Sequence, residues 1–279
     1  MPQDSDWTTR GLDYEPPQID TSTAHAARVY DYILGGKDNY LADREAGDQL
    51  IRAEPSVQVS VRQNRLFLHR LTRYLAAEAG ISQFLDVGTG IPTSPNVHEI
   101  AQQAIPAARV VYVDNDPIVL AHARALLTSS PQGQVAYIPA DMRDAAAVLA
   151  APELTATLDL TRPAALLMLS TLHLVTDPAE ARELLGRYVA ALAPGSYVAL
   201  SVSTVDSYSA ATGDEMRSVL RSHGLPVLQR TRAEVTELFD GLELVDPGVV
   251  LFSQWRPDAD TLPPADTQVG LYCGVAVKR

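Results

Sequence analysis

The stretch Phe84-Leu85-Asp86-Val87-Gly88-Thr89-Gly90-Ile91-Pro92 constrains this chain more than any other. Its apolar run, Phe84, Leu85 and Val87, predicts a strand covered on both faces. The strand ends in a glycine-rich turn. Gly88 and Gly90 allow a tight bend and let a ligand approach with no Cβ in the way. Ser94-Pro95 then reads as an N-cap followed by proline at the first helical position. Val97, Ile100, Ala101 and Ala104 supply the apolar stripe of that helix. Strand, glycine turn and helix together form the nucleotide-binding corner of a doubly wound α/β domain.

The spacing separates the cofactors that use such a corner. A dinucleotide fingerprint would need a third glycine where Thr93 stands. Asp86, two residues before the first glycine, would repel a pyrophosphate and attract a cation. S-adenosylmethionine carries a sulfonium and an ammonium group and no phosphate, so it is the expected cofactor.

Composition removes other classes. A length of 279 residues with 46% hydrophobic content supports a sizeable folded core. The net charge of -12 argues against a nucleic-acid substrate, which needs clustered Lys and Arg, and against an anionic membrane surface. Cys273 is the single cysteine, so no intrachain disulfide and no cysteine-based metal site is expected. The first twenty residues are polar and acidic without the apolar stretch of a signal peptide, and a cytoplasmic location is expected. There is no G-x-S-x-G elbow, Walker loop or H-E-x-x-H; His98-Glu99 lacks the second histidine, and no metal site is expected.

Along the chain, Met1 to Ile19 reads as a loose arm around Pro16-Pro17. A helix through Ala24 to Leu34 ends at Gly35-Gly36, a second runs from Leu41 to Ala53, and a third from Val57 to Ala79. The third turns Leu66, Phe67, Leu71, Tyr74 and Leu75 inward and is capped by Gly80. Strands and helices then alternate. Strands are expected at Gln83–Val87, Arg109–Asp114, Gln134–Ile138, Ala164–Leu169 and Tyr197–Ser203. Helices are expected at Pro117–Leu127, Pro178–Leu192, Asp214–Ser222 and Ala233–Phe239, the last with Thr231 and Glu234 at capping-box spacing. Leu242–Phe252 and Val269–Val277 predict an antiparallel pair closing the sheet.

Three blocks carry a family resemblance: Arg28 to Tyr40 with Asp43-Arg44, Asp86 to Pro92, and Val111 to Pro117. They resemble the actinobacterial S-adenosylmethionine-dependent methyltransferases of mostly unassigned substrate, a branch of the class I enzymes. The resemblance covers most of the chain, and its first block is more specific than the glycine turn. It implies an α/β, Rossmann-like class I methyltransferase fold. Its sheet would be mainly parallel and seven-stranded, ending in an antiparallel hairpin, with an N-terminal helical extension. Residues 1–80 would form the arm and a helical lid, and 81–279 the catalytic domain.

The family pattern puts Gly88, Thr89 and Gly90 beneath the methionine part, with Asp86 near its ammonium. Asp114, an acid closing an apolar strand, suits the ribose hydroxyls. Asn115 and Asp116 would sit beside the ribose or adenine, although Asp116 reads equally as an N-cap before Pro117. Asp141 would accept from the adenine amino group while Met142 packs on the ring. Pro92 stands where many methyltransferases carry a further glycine, which shifts the burden to Gly88 and Gly90. The Gly35-Gly36 break would let the lid fold over the sheet, with Gly35, Lys37 and Asn39 near the cofactor's carboxylate.

Methyl transfer requires in-line approach of a nucleophile, and positioning with desolvation supplies much of the catalysis. His173, just past the fourth strand, is the candidate base by location; a hydrogen-bonded loop histidine is the competing reading. Tyr30, Tyr40 and Tyr208 are candidates for an acceptor pocket, with core packing as the alternative. The expected partner is a small-molecule acceptor. A non-catalytic protein that binds S-adenosylmethionine or S-adenosylhomocysteine, as a sensor or interaction partner, is the second reading.

Overall fold

The computed structural model describes residues 19–126, 129–259 and 262–279. The arm expected over Met1 to Ile19 lies outside the described residues except for Ile19, and so does Leu127. The helical extension comprises α1 (Ala26–Leu34), α2 (Leu41–Ala53) and α3 (Val57–Arg73), the last continued by a π turn at Tyr74–Glu78. Gly35 and Gly80 end the first and third of these in the left-handed region, at φ 90° and 69°. The inward positions of α3 are Val61, Asn64, Phe67, Leu68 and Leu71. Leu66 falls off that 3.6-residue stripe and is 38% exposed, contrary to expectation.

The alternating part runs β1 (Gln83–Val87), α4 (Val97–Ala104), β2 (Arg109–Asp114), α5 (Pro117–Leu126), β3 (Gln134–Pro139), α6 (Ala145–Ala150), α7 (Pro152–Thr157) and β4 (Ala165–Leu169). It continues with α8 (Pro178–Ala191), β5 (Tyr197–Ser203), α9 (Ala210–Ser222), α10 (Arg232–Glu237), β6 (Glu243–Leu244), β7 (Val250–Leu251) and β8 (Leu271–Val277). The helix after the glycine turn begins two residues later than Ser94-Pro95 predicts. Asn96 takes the cap instead, because Glu99 accepts from both its backbone and its side-chain nitrogen. The short helices α6 and α7 were not anticipated; Asp144 caps the first, donated to by the Ala147 N–H, and Pro152 opens the second.

The sheet order is β3-β2-β1-β4-β5-β8-β6, with β7 also paired to β8. Neighbours from β3 to β5 are parallel, and β8 lies antiparallel to β5. The strands number eight rather than seven, because the expected strand Leu242–Phe252 is interrupted. Its two ends pair with β8 as β6 and β7, while Asp246-Pro247-Gly248 makes the turn between them. Proline brings no N–H to a ladder, and Gly248 takes φ 80°.

Alternate residues of each strand enter opposite cores. Leu85, Val87, Val111, Val113, Leu166 and Met168 meet α6 to α8 and α10. Phe84, Val110, Tyr112, Ala165 and Leu167 meet α3, α4 and Trp255. Both faces are covered, which is why the strands read as unbroken apolar runs. A smaller cluster joins Val29, Ile33, Ala46, Leu50 and Val61 to Met216 of α9. α1 and α2 therefore pack with α9, while α3 lies on one face of the sheet, and residues of α1 and α3 reach the cavity at its carboxyl edge. Among the described residues, no helix is long and apolar enough to cross a membrane.

Candidate active site

The carboxyl ends of β1, β2, β3 and β4 face a cavity of about 410 Å³. Asp86 and the Gly88-Thr89-Gly90 turn line it from β1, and Asp114 and Asn115 from β2. Asp141 and Met142 follow β3, and Ser170 and Thr171 follow β4. Above the sheet lie His25, Tyr30, Asp31 and Leu34 of the α1 segment, then Asn64, Arg65 and Leu68 of α3. The loop Gly224-Leu225-Pro226 after α9 completes the wall.

The two turn glycines differ in what they make room for. Both are left-handed, at φ 76° and 69°. A Cβ on Gly88 would fall 2.1 Å from Cγ2 of Thr171, so this glycine admits a neighbouring side chain. At Gly90 nothing lies within 4 Å of that position, and the open space belongs to the cavity side. The Gly88 and Thr89 N–H groups donate to the Val113 carbonyl at 2.7 and 3.1 Å, tying the turn to β2.

The two strand-ending acids are buried with few partners. Asp86 is 4% exposed and accepts from the Thr89 hydroxyl at 3.1 Å. Burial pushes its carboxyl up to about 7. Asp114 accepts from the Gly90 N–H at 2.8 Å and the Asp116 N–H at 3.0 Å, and burial raises its pKa against the pull of those bonds. Each carboxylate oxygen of Asp114 takes one of these bonds, leaving a lone pair on each. Asp141 is half-exposed on a loop; its Oδ1 accepts from the Arg143 N–H at 2.8 Å. Met142 is buried beside it.

Asp116 lies outside the lining and serves two structural ends. Its Oδ1 accepts from the Ile118 N–H, as an N-cap at Pro117 would. Its Oδ2 meets His25 Nδ1 at 3.0 Å and Arg28 Nε at 3.1 Å. Burial pushes the Asp116 carboxyl up, but His25, the Ile118 N–H and Arg28 together hold it below the usual range. Burial opposes charge on His25 in turn, and Asp116 with Asp114 outweighs it, so its pKa is raised. Nε2 of the same ring lies 3.3 Å from Asn115 Oδ1. These contacts pin the start of α1 to the turn after β2.

The first sequence block closes on itself. Asp31 accepts from the Asp38 N–H and the Asn39 amide, and a Cβ on Gly36 would strike its carboxylate at 2.0 Å. Asp43 accepts from the backbone N–H groups of His25 and Tyr40. Gly35, Lys37 and Asn39 are not in the lining: Gly35 and Lys37 are exposed, and Asn39 is buried in the loop it holds. Tyr40 packs with Ile91, Ile118 and Val119, under the Arg28 guanidinium at 5.5 Å. Tyr208 packs against Gly270, its hydroxyl 3.4 Å from Ser60.

Tyr30 does line the cavity. Its hydroxyl donates to the Val61 carbonyl at 3.0 Å and accepts from Asn64 at 3.0 Å, and burial pushes its pKa up to about 12. Ser201 in turn donates to Asn64 Oδ1 at 2.8 Å. His173 lies behind the lining. Its Nδ1 accepts from the Ser203 N–H at 3.3 Å, and burial with the Arg230 charge lowers its pKa to about 4. Sequence reasoning missed Asn64, Arg65 and His25. A signal existed: Ser60 and Asn64 are polar residues four apart on the apolar face of α3, where hydrogen-bonding groups need partners.

The chain is similar to a DUF574 family protein from Streptomyces avermitilis, with 49% identity over 94% of this chain and 100% of that one, at a TM-score of 0.90. It is similar to a candidate methyltransferase from Thermobifida fusca, with 40% identity over 96% and 99% of the two chains, at a TM-score of 0.86. No curated protein matches the sequence. The profile of the family described as S-adenosyl methyltransferase matches residues 13–279, nearly the whole chain. The protein belongs to this S-adenosyl methyltransferase family.

Proposed function

We propose that this cavity holds S-adenosylmethionine and that the enzyme methylates a small-molecule acceptor bound beside it. The observation that carries the reading is the pair Asp86 and Asp114, buried at the ends of adjacent strands on either side of an open Gly90. When bound, the cofactor supplies a methyl group on a sulfonium. The residues fit it. Asp114 keeps lone pairs for two ribose hydroxyls, and Asp86 faces an ammonium. Met142 offers an apolar contact for the adenine, with Asp141 at its edge.

The acceptor side is bounded by Tyr30, Leu34, Leu68, Ser170, Leu174 and Leu225. Ser170 is a non-glycine residue at φ 57°, held by bonds from its N–H to Ser201. Such strain is kept where surrounding contacts over-determine it, as at binding sites. Tyr30 gives its proton to a carbonyl and His173 is turned to Ser203, so both act as walls and supports. Orientation and exclusion of water are then the chain's contribution to rate.

The experiment is titration of S-adenosylhomocysteine into wild-type protein and Asp114→Ala by calorimetry. Loss of charge-assisted hydrogen bonds worth ~1.5–3 kcal/mol should weaken binding about tenfold or more. A change below twofold in a folded variant would return Asp114 to a purely structural role. The roof of α1 and its loop should also respond, as a lid closing on the cofactor would. Hydrogen exchange over residues 30–43 is expected to slow on binding; an unchanged rate would count against a lid.

A further inference from the structure

We infer that Ser170 Oγ accepts a hydrogen bond from the nucleophilic group of the methyl acceptor, so that the site takes an apolar small molecule whose nucleophile carries its own N–H or O–H. This rests on the cofactor site proposed above. There the cofactor spans the ends of β1, β2 and β3, at Asp86, Asp114 and Met142, which leaves the β4 end of the cavity for the acceptor. Leu34, Leu68, Leu174 and Leu225 make that end apolar. Its hydroxyls belong to Tyr30, Ser170 and Thr171, and Thr171 turns its own to the Val87 carbonyl at 3.4 Å.

The direction of one hydrogen-bond chain decides what the other two hydroxyls present. It starts at the Val61 carbonyl, which can only accept, so the single Tyr30 proton points there at 3.0 Å. Burial pushes the Tyr30 pKa up to about 12, and the proton stays in place. Tyr30 therefore accepts from Asn64 Nδ2, which turns Asn64 Oδ1 to Ser201. Ser201 gives its proton to that oxygen at 2.8 Å and accepts from the Ser170 N–H at 2.9 Å. Its remaining lone pair faces Ser170 Oγ, 3.5 Å away, and can only receive. That contact is long for O–H···O. A ligand N–H donating to Ser170 would polarise its O–H toward Ser201 and tighten it. Tyr30 and Ser170 thus both turn lone pairs to the cavity. A nucleophile with lone pairs only, such as a carboxylate or a thioether, would find no donor in either.

The test places a donor where the methyl would stand. Calorimetry on the full chain would compare S-adenosylhomocysteine with sinefungin, a cofactor analogue in which a carbon bearing an amine replaces the sulfonium and its methyl. Ser170→Gly removes the hydroxyl and suits φ 57°, a region that glycine occupies freely. It should weaken sinefungin by about tenfold, the loss expected for one hydrogen bond from a charged donor, and S-adenosylhomocysteine by less than about twofold. Ser170→Ala, which keeps a Cβ, should separate the two ligands in the same way. Equal weakening of both ligands would make Ser170 a structural residue and overturn the inference. Unchanged sinefungin binding would overturn it too, as would a wild-type protein that binds S-adenosylhomocysteine and rejects sinefungin. Wild-type protein that binds neither ligand would overturn the cofactor site, and this inference with it.

Discussion

Replacing Arg28 with alanine is expected to destabilise the fold by about 3–5 kcal/mol, the usual cost of removing one member of a buried ion pair. Arg28 is 4% exposed and stands between two buried acids, Asp116 at 3.1 Å and Asp43 at 3.7 Å. It also donates to the carbonyls of Asp20 and Thr23 at 2.9 and 3.2 Å. Without it, two buried carboxylates lose their neighbouring cation and two carbonyls lose a donor, where water cannot easily replace it. Urea denaturation should show the change as a lower midpoint. Arg28→Lys should recover little, because an ammonium cannot span four partners on different sides. Since α1 roofs the cavity, S-adenosylhomocysteine binding should weaken as well. A loss below about 1 kcal/mol would mean that the pair contributes little beyond its own desolvation.

The second large effect concerns pH. In the free protein Asp86 titrates at about 7, because burial penalises its charge. An ammonium ligand needs the carboxylate, so below pH 7 binding must first expel a proton. Affinity for S-adenosylhomocysteine should fall about fiftyfold from pH 7 to pH 5, approaching one decade per unit, and level off above about 8. Asp86→Asn should bind weakly with a flat profile over that range. The effect on stability has the opposite sense. A carboxyl raised above its unfolded value of 3.8 stabilises the fold fully below that value, and the contribution is lost as pH rises to about 7. The ligand-free protein should therefore lose stability through that window while the complex gains affinity. Constant affinity from pH 5 to 8 would show that Asp86 does not meet the ammonium.

The strands of the nucleotide fold were legible because both faces of the sheet are covered, and β2 and β5 have the bounds that their apolar runs predict. Periodicity also located α2 and the capping box of α10. Local signals failed where two competed for the same few residues. Ser94-Pro95 lost the cap to Asn96 and Glu99, and Asp246-Pro247-Gly248 split a run that reads as one strand. In the cavity, the strand-end acids and turn glycines were legible because their sequence neighbours place them. The conspicuous Gly35 to Tyr40 block lies apart from the lining: its polar residues bond to one another and to neighbouring helices, which shapes a loop. Arg65 and Asn64 were hidden because their place in the lining depends on how α3 packs against the sheet, a tertiary fact with no local pattern.

The central claim, that the carboxyl-edge cavity is an S-adenosylmethionine site and no dinucleotide site, is tested most directly by parallel calorimetric titrations of wild-type protein at pH 7.5 (roughly half a unit above the Asp86 titration). S-adenosylhomocysteine should bind with one-to-one stoichiometry, and NAD should give no saturable heat, because its pyrophosphate would face the Asp86 carboxylate beside the Gly88-Thr89-Gly90 turn. Tighter binding of NAD than of S-adenosylhomocysteine would contradict the account.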